Sequence, residues 1–174
     1  MRKHFAKIIN EYAKSREDIF LITGDLGYGV LDEYSKINNK KFLNIGICEQ
    51  SMMSFAAGFS SNFKNTFVYS ITNFNIFRGA EQIRNDICYQ NNKVIITSVG
   101  TGFSYGKLGY THYGIEDIGL INSFPNILIY NPLDQFQLQK IFPIILKEKK
   151  PVYLRLNRDI DFNVNKIRKF DNSG

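Results

Sequence analysis

The chain has 174 residues, enough for one domain with a substantial core. Hydrophobic residues make up 44% and charged residues 22%, a soluble, globular balance, and no apolar run approaches the roughly 20 residues that span a membrane, so no membrane association is expected. The net charge of +6 admits nucleic acids or anionic metabolites as partners, but the lysines are scattered and the one dense run, Lys147-Glu148-Lys149-Lys150, is broken by an acid where cations complement a helix end, so nucleic-acid binding is not expected.

The first predicted element is a helix over residues 3–14, where Phe5, Ile8, Ile9 and Tyr12 recur at helical spacing. The run 18–23 (D-I-F-L-I-T) is predicted as a buried strand, and Gly24-Asp25-Leu26-Gly27-Tyr28-Gly29 as a loop. A short strand over 42–45 precedes a helix over 48–59, with Met52, Phe55, Ala56 and Phe59 on one stripe. A strand over 66–69, a helix over 75–88 and a strand over 93–99 follow. Residues 100–114 contain five glycines and are predicted as a long loop. A helix over 115–122 and a strand over 127–130 come next, and Pro132 stops the strand. Asp134 is placed to cap a helix running to Lys147, with Leu138, Ile141, Ile145 and Leu146 apolar and Pro143 as its kink point. The last strand is predicted over 152–156, and residues 159–174 read as a polar tail.

Strands alternate with helices, and the central strands are apolar throughout, as expected where both sheet faces are covered. The expectation is an α/β fold: a single domain over residues 1–158 with a mostly parallel sheet flanked by helices. Ligands of such sheets sit past the carboxyl ends of strands, which singles out the segments after Thr23, Ile45, Tyr69 and Val99. Cys48 and Cys88 have no metal-type spacing, and with two histidines in the chain a zinc site is not expected. The N-terminus lacks a signal-peptide pattern, so a reduced, cytoplasmic setting is the default.

Among possible sites, Gly100-x-Gly102-x-x-x-Gly106 has the wrong spacing for a dinucleotide fingerprint, and no Walker-type phosphate loop occurs. In Asn44-Ile45-Gly46-Ile47-Cys48-Glu49-Gln50 a strand ends, a glycine turns the chain, and a glutamate opens a helix. Taken alone, that is an ordinary carboxylate in a helix first turn. His112, in Thr111-His112-Tyr113-Gly114, taken alone is a surface loop histidine.

Three segments together resemble the pyrimidine domain of transketolases and deoxyxylulose-phosphate synthases. They are N-I-G-I-C-E-Q-S-M-M-S-F-A-A-G (44–58), F-R-G-A-E-Q-I-R-N-D-I (77–87, preceded by Phe74) and T-H-Y-G-I-E-D-I-G-L-I-N-S-F-P-N-I-L-I-Y-N-P-L-D (111–134). The closing P-V-Y-L-R-L-N-R (151–158) also fits, so the resemblance covers about residues 18–158. It implies thiamine diphosphate as cofactor, with Glu49 on a ring nitrogen of the aminopyrimidine and Phe74 stacked on that ring. Phe77 and Arg78 would line the pocket, and Asp25 would lie in a loop approaching the cofactor or a subunit interface. His112 would face the substrate, and Arg158 would hold the phosphate end of a sugar phosphate. The implied catalytic pair is Glu49 and His112, and the implied reaction is transfer of a two-carbon ketol unit.

The chain also departs from that pattern. Where typical members carry an acidic pair it reads Gly106-Lys107-Leu108-Gly109-Tyr110-Thr111-His112, and Tyr113 stands where Gln is frequent. A serine-containing stretch of the first loop is replaced by Leu26-Gly27-Tyr28-Gly29. These changes suggest an unusual sugar substrate, such as a nucleotide-linked keto sugar. No G-D-G stretch occurs, so Mg2+ or Ca2+ and the diphosphate are expected on a separate partner subunit, in a heterotetramer of two plus two. No metal ligand is expected in this chain. The alternatives are a 2-oxo acid decarboxylase or dehydrogenase beta-type subunit, and a non-catalytic binding or regulatory paralogue. T-H-x-G followed by I-E-D-I favours the transketolase branch.

Overall fold

The chain is seen in a computed structural model, which describes residues 1–157. The predicted phosphate-binding Arg158 and the polar tail over 159–174 lie outside the described residues.

Six strands form one parallel sheet: β1 (Ile19–Thr23), β2 (Phe42–Asn44), β3 (Asn65–Ile71), β4 (Val94–Val99), β5 (Leu128–Tyr130) and β6 (Val152–Leu156), in the order β2-β1-β3-β4-β6-β5. The long interior strands β1 and β4 are buried from end to end, whereas β2 and β5, at the edges, have three residues each and are only partly covered. Alternate residues of one strand therefore feed two separate cores. Ile19 and Leu21 join Phe5 and Ile9 of α1 (Arg2–Ser15), Tyr34 of α2 (Asp32–Ile37) and Phe142 of α6 (Gln135–Lys147). On the other face, Phe20 and Ile22 join Met52 and Met53 of α3 (Glu49–Phe59), Ile121 of α5 (Asp117–Asn122), and Ile83 and Ile87. This is the expected α/β fold with helices on both faces of a parallel sheet. No helix among the described residues is long and apolar enough to cross a membrane.

The Asp134 cap is present: its Oδ1 accepts from the Gln137 amide at 2.8 Å, and Pro143 lies inside α6. Three details differ from the expectation. The α2 helix sits where no helix is predicted; six residues are too few for a period to show, and burial of Tyr34 and Leu31 holds it. On α3 the buried face is Met52, Met53, Ala56 and Ala57, while Phe55 is exposed and stacks on Phe59 with ring centroids 5.2 Å apart. The helix packs on both the sheet and a neighbouring helical stretch, so its covered face is rotated from the predicted stripe. The helix expected over 75–88 is not uniform. It comprises a π-helical turn (Phe74–Arg78), the short α4 (Ala80–Gln82) and a second π-helical segment (Ile83–Tyr89).

The order of β2-β1 against β3-β4 reverses the direction of chain progress between β1 and β3. In open parallel sheets that reversal opens a crevice beyond the carboxyl ends of the two strands. Every segment singled out from the sequence ends there: the loops after β1, β2, β3 and β4 leave the same edge.

Candidate functional site

Glu49 is the first residue of α3, just after the turn that leaves β2. Gly46 takes φ of 84° in that turn, and its amide donates to Asn44 Oδ1 at 3.1 Å. The carboxylate is only 3% exposed, although the helix start supplies positive dipole around it. Burying a charge so deeply needs a partner. Arg78 supplies it, with Nη1 donating to Glu49 Oε2 at 3.1 Å. Oε1 makes no hydrogen bond among the described residues.

Arg78 ends the first π-helical turn, and the same guanidinium lies over the Phe74 ring, 4.4 Å from its centroid. The extra residue per turn of a π-helix re-aims side chains, and such turns recur at functional sites. Two contacts fix this one. Asn75 is fully buried and donates to the Thr97 carbonyl and Ser98 Oγ of β4, both at 3.1 Å. At Gly79 a Cβ would stand 2.8 Å from the Asn75 carbonyl oxygen and 2.9 Å from Met53 Cγ, so only glycine lets α3 approach this closely.

On its other flank Phe74 meets His112, edge to face at 5.1 Å between centroids. His112 closes a 3-10 turn (Tyr110–His112) in the loop after β4, with its Nδ1 3.0 Å from Thr111 Oγ1 and its ring 6.0 Å from that of Tyr105. Asn73 Nδ2 donates to the Thr111 carbonyl at 2.7 Å, tying this loop to the π-helical turn. Glu49, Arg78, Phe74 and His112 thus form one continuous chain of contacts, drawn from three different loops.

Two other predicted residues stand apart. Asp25 is exposed, with φ of 53°, accepts from the Tyr28 hydroxyl at 2.5 Å, and exchanges hydrogen bonds with Asn44. The Tyr28 and Asn44 hydrogen bonds hold its carboxyl below the usual carboxylate range. It shares the crevice edge but touches none of the four residues above. Phe77 points outward and is partly exposed.

Sequence reasoning missed Asn73, Asn75 and the trio of buried Asp117 and Tyr153 with the part-buried Arg155. The one signal for the trio was a lone arginine within an apolar strand run, V-Y-L-R-L. Desolvation, followed by the Asp117 charge, pushes the Tyr153 hydroxyl well up from its ordinary range. Among the described residues no group of three or more His, Cys, Asp or Glu is placed to hold a metal ion.

The arrangement suits a planar, nitrogen-bearing ring: an aromatic face, a buried carboxylate with a free oxygen, and nearby unpaired acceptors. Asn73 Oδ1 and Gln82 Oε1, flanking the π-helical turn, are buried without a donor among the described residues.

A family model described as the pyrimidine-binding domain of transketolase matches residues 1–160. The chain is 34% identical over 158 residues to one subunit of the apulose-4-phosphate transketolase of Phocaeicola vulgatus, covering 90% of this chain and 51% of that protein. It is 31% identical over 159 residues to a putative transketolase C-terminal section of Methanocaldococcus jannaschii, covering 91% of this chain and 50% of that one. A solved split-gene transketolase, an inactive beta4 tetramer, superposes with a TM-score of 0.81 at 31% identity, over 91% of this chain and 50% of its own. The chain spans about half the length of these relatives.

Proposed function

The chain belongs to the transketolase pyrimidine-binding domain family, and we propose from this that it holds the pyrimidine half of a thiamine-diphosphate site in a split, two-subunit enzyme that transfers a two-carbon ketol unit. The observation that carries the reading is the contact chain from Glu49 through Arg78 and Phe74 to His112, at the crevice where strand order reverses. The cofactor, when bound, supplies the carbon that accepts and releases the ketol unit.

This chain's residues have separate tasks in that reaction. Glu49 offers its free oxygen to a ring nitrogen of the aminopyrimidine and holds or passes a proton there. Phe74 provides the stacking surface, and its present partner, the planar guanidinium of Arg78, is of the same shape class. Burial of Glu49 keeps water from competing for that proton. His112 binds an oxygen of the ketose donor, and Arg158, after β6, binds a terminal phosphate of the sugar. Asp25 and Phe77 lie on the cofactor or subunit side of the same edge.

The diphosphate and its Mg2+ or Ca2+ belong to a separate polypeptide. The Phocaeicola relative, itself one subunit of a transketolase, and the split-gene tetramer support that division. So does the crevice edge itself, where Tyr28, Ile47, Phe77, Phe103, Leu108 and Tyr110 expose apolar surface from four loops. Lys107 and Leu108 stand where typical members carry the acidic pair ahead of His112, which favours an uncommon sugar phosphate; apulose 4-phosphate in the named relative is of that kind. The assembly is two plus two, with residues 1–158 as the domain.

Calorimetry of the protein with thiamine diphosphate and Mg2+, alone and then with its partner chain, tests this reading. Weak binding alone and tight binding with ketol transfer in the assembly are expected. Micromolar or tighter binding by the protein alone would defeat the split-site proposal.

A further inference from the structure

Arg155 is a charged residue within a strand that is otherwise buried, and β6 lies between β4 and β5. A guanidinium in a covered sheet is costly unless its donors are matched. Asp117, fully buried at the start of α5, accepts from Arg155 Nε at 2.7 Å and from Nη2 at 3.3 Å. The Tyr153 hydroxyl donates to the same carboxylate at 2.5 Å. That leaves Nη2 one further hydrogen, which goes to the Gly114 carbonyl at 3.0 Å.

That carbonyl closes the loop that carries His112. It also accepts from the Gly102 amide at 2.6 Å, and the Gly114 amide donates back to the Gly102 carbonyl at 3.0 Å. The bridge pinches residues 102–114 into a closed loop, with His112 two residues from the pinch. Gly114 has no room to shift: a Cβ there would meet Thr72 Cγ2 at 2.6 Å and Thr101 Cα at 3.3 Å. Asn73 holds the opposite side of the loop through the Thr111 carbonyl.

We infer that Arg155 is a positioning residue for His112, acting through the Gly114 carbonyl. This rests on the reading of His112 as substrate-facing. Arginine is needed because its fork spans Asp117 and Gly114 at once, whereas a lysine ammonium is a single point of donors on a flexible stem. Asp117 holds the fork in place and does not itself reach the loop, while Tyr153 donates to the Asp117 carboxylate and not to the fork.

The test is a double-mutant cycle on the assembled enzyme, reading kcat/KM for the ketose donor in wild type, Arg155→Lys, His112→Ala and the double variant. Arg155→Lys should lower kcat/KM about tenfold or more when His112 is present, the scale of a small misplacement, and by less than about twofold in the His112→Ala background. Tyr153→Phe, which leaves the Gly114 contact in place, should lower the melting temperature without changing kcat/KM. The His112 ring resonance should shift in Arg155→Lys while that of His4 stays put. Should Arg155→Lys fail to fold, Asp117→Asn should shift the same resonance. Equal losses in both backgrounds, or an unshifted His112 resonance, would overturn the inference. If His112→Ala leaves kcat/KM unchanged, the substrate-facing reading falls, and the ring resonance still decides whether Arg155 sets the ring's place.

Discussion

A buried carboxylate can be held in two ways, by a fixed countercharge or by a ligand that donates to it. Glu49 has one oxygen in each condition: Oε2 meets Arg78, and Oε1 has no donor among the described residues. Replacing Glu49 with Gln keeps the size and the contact to Arg78 but removes the group that can hold and release a proton. On the proposed reading, Glu49→Gln should fold and assemble normally while turnover falls by roughly 100-fold or more, the scale of a lost acid-base group. Steady-state turnover of the assembled enzyme with a ketose donor, run beside a melting curve, measures this. Unchanged turnover in a folded variant would remove Glu49 from the chemistry. At this scale the sequence was informative where chemistry is contiguous: Glu49, Phe74 and His112 each sit in a recognisable local run. Arg155 and Asp117 are 38 residues apart, and nothing local announces that they meet.

Elements are joined at the edge opposite the crevice by Lys93. It precedes β4 and donates to Asn65 Oδ1, at the start of β3, and to the Leu146 carbonyl, near the end of α6, both at 2.8 Å. Burial pushes its ammonium down from the ordinary 10.5 to about 8. A lysine with a lowered folded pKa is a charge the fold carries at a cost. That cost is full below about pH 8, where folded and unfolded chains are both protonated. It fades as pH rises towards 10.5, where the unfolded chain binds the proton and the folded one does not. The neutral amine can still donate to both acceptors. The wild type should therefore gain stability relative to Lys93→Met between about pH 8 and 10. Melting temperatures of the two proteins across that range measure the difference, and a flat difference would show that burial does not govern this group. The helical stretch 74–89 is the element whose type local pattern could not settle. Apolar spacing announces a helix, but π-helical winding depends on Asn75 binding β4 and on Gly79 admitting Met53.

At the scale of the whole molecule, one edge of the sheet gathers both the candidate site and exposed apolar side chains. Surface such as that of Tyr28, Ile47, Phe103 and Tyr110 is costly to leave in water and favours association. On the proposed split-enzyme reading, the protein without a partner chain is expected to self-associate through this edge and to be inactive, as the split-gene beta4 tetramer is described. Adding the partner should convert it to a mixed, active assembly. Light scattering with size separation, before and after mixing, follows both steps. A protein that stays monomeric after mixing, with activity of its own, would contradict the expectation.

The amino-acid sequence alone determined the class of fold, because strands of a parallel sheet covered on both faces are uninterrupted apolar runs and the segments between them carry helical spacing. It also determined the pyrimidine-domain resemblance, because those motifs are short and contiguous. Only the tertiary structure decided the order β2-β1-β3-β4-β6-β5, and with it the crevice between β1 and β3. It alone placed Arg78 between Glu49 and Phe74, and Arg155 against Gly114. The physical reason is shared. Strand order and side-chain partners across loops are set by packing between residues far apart in the chain, and local periodicity carries no record of which distant segment will supply the partner.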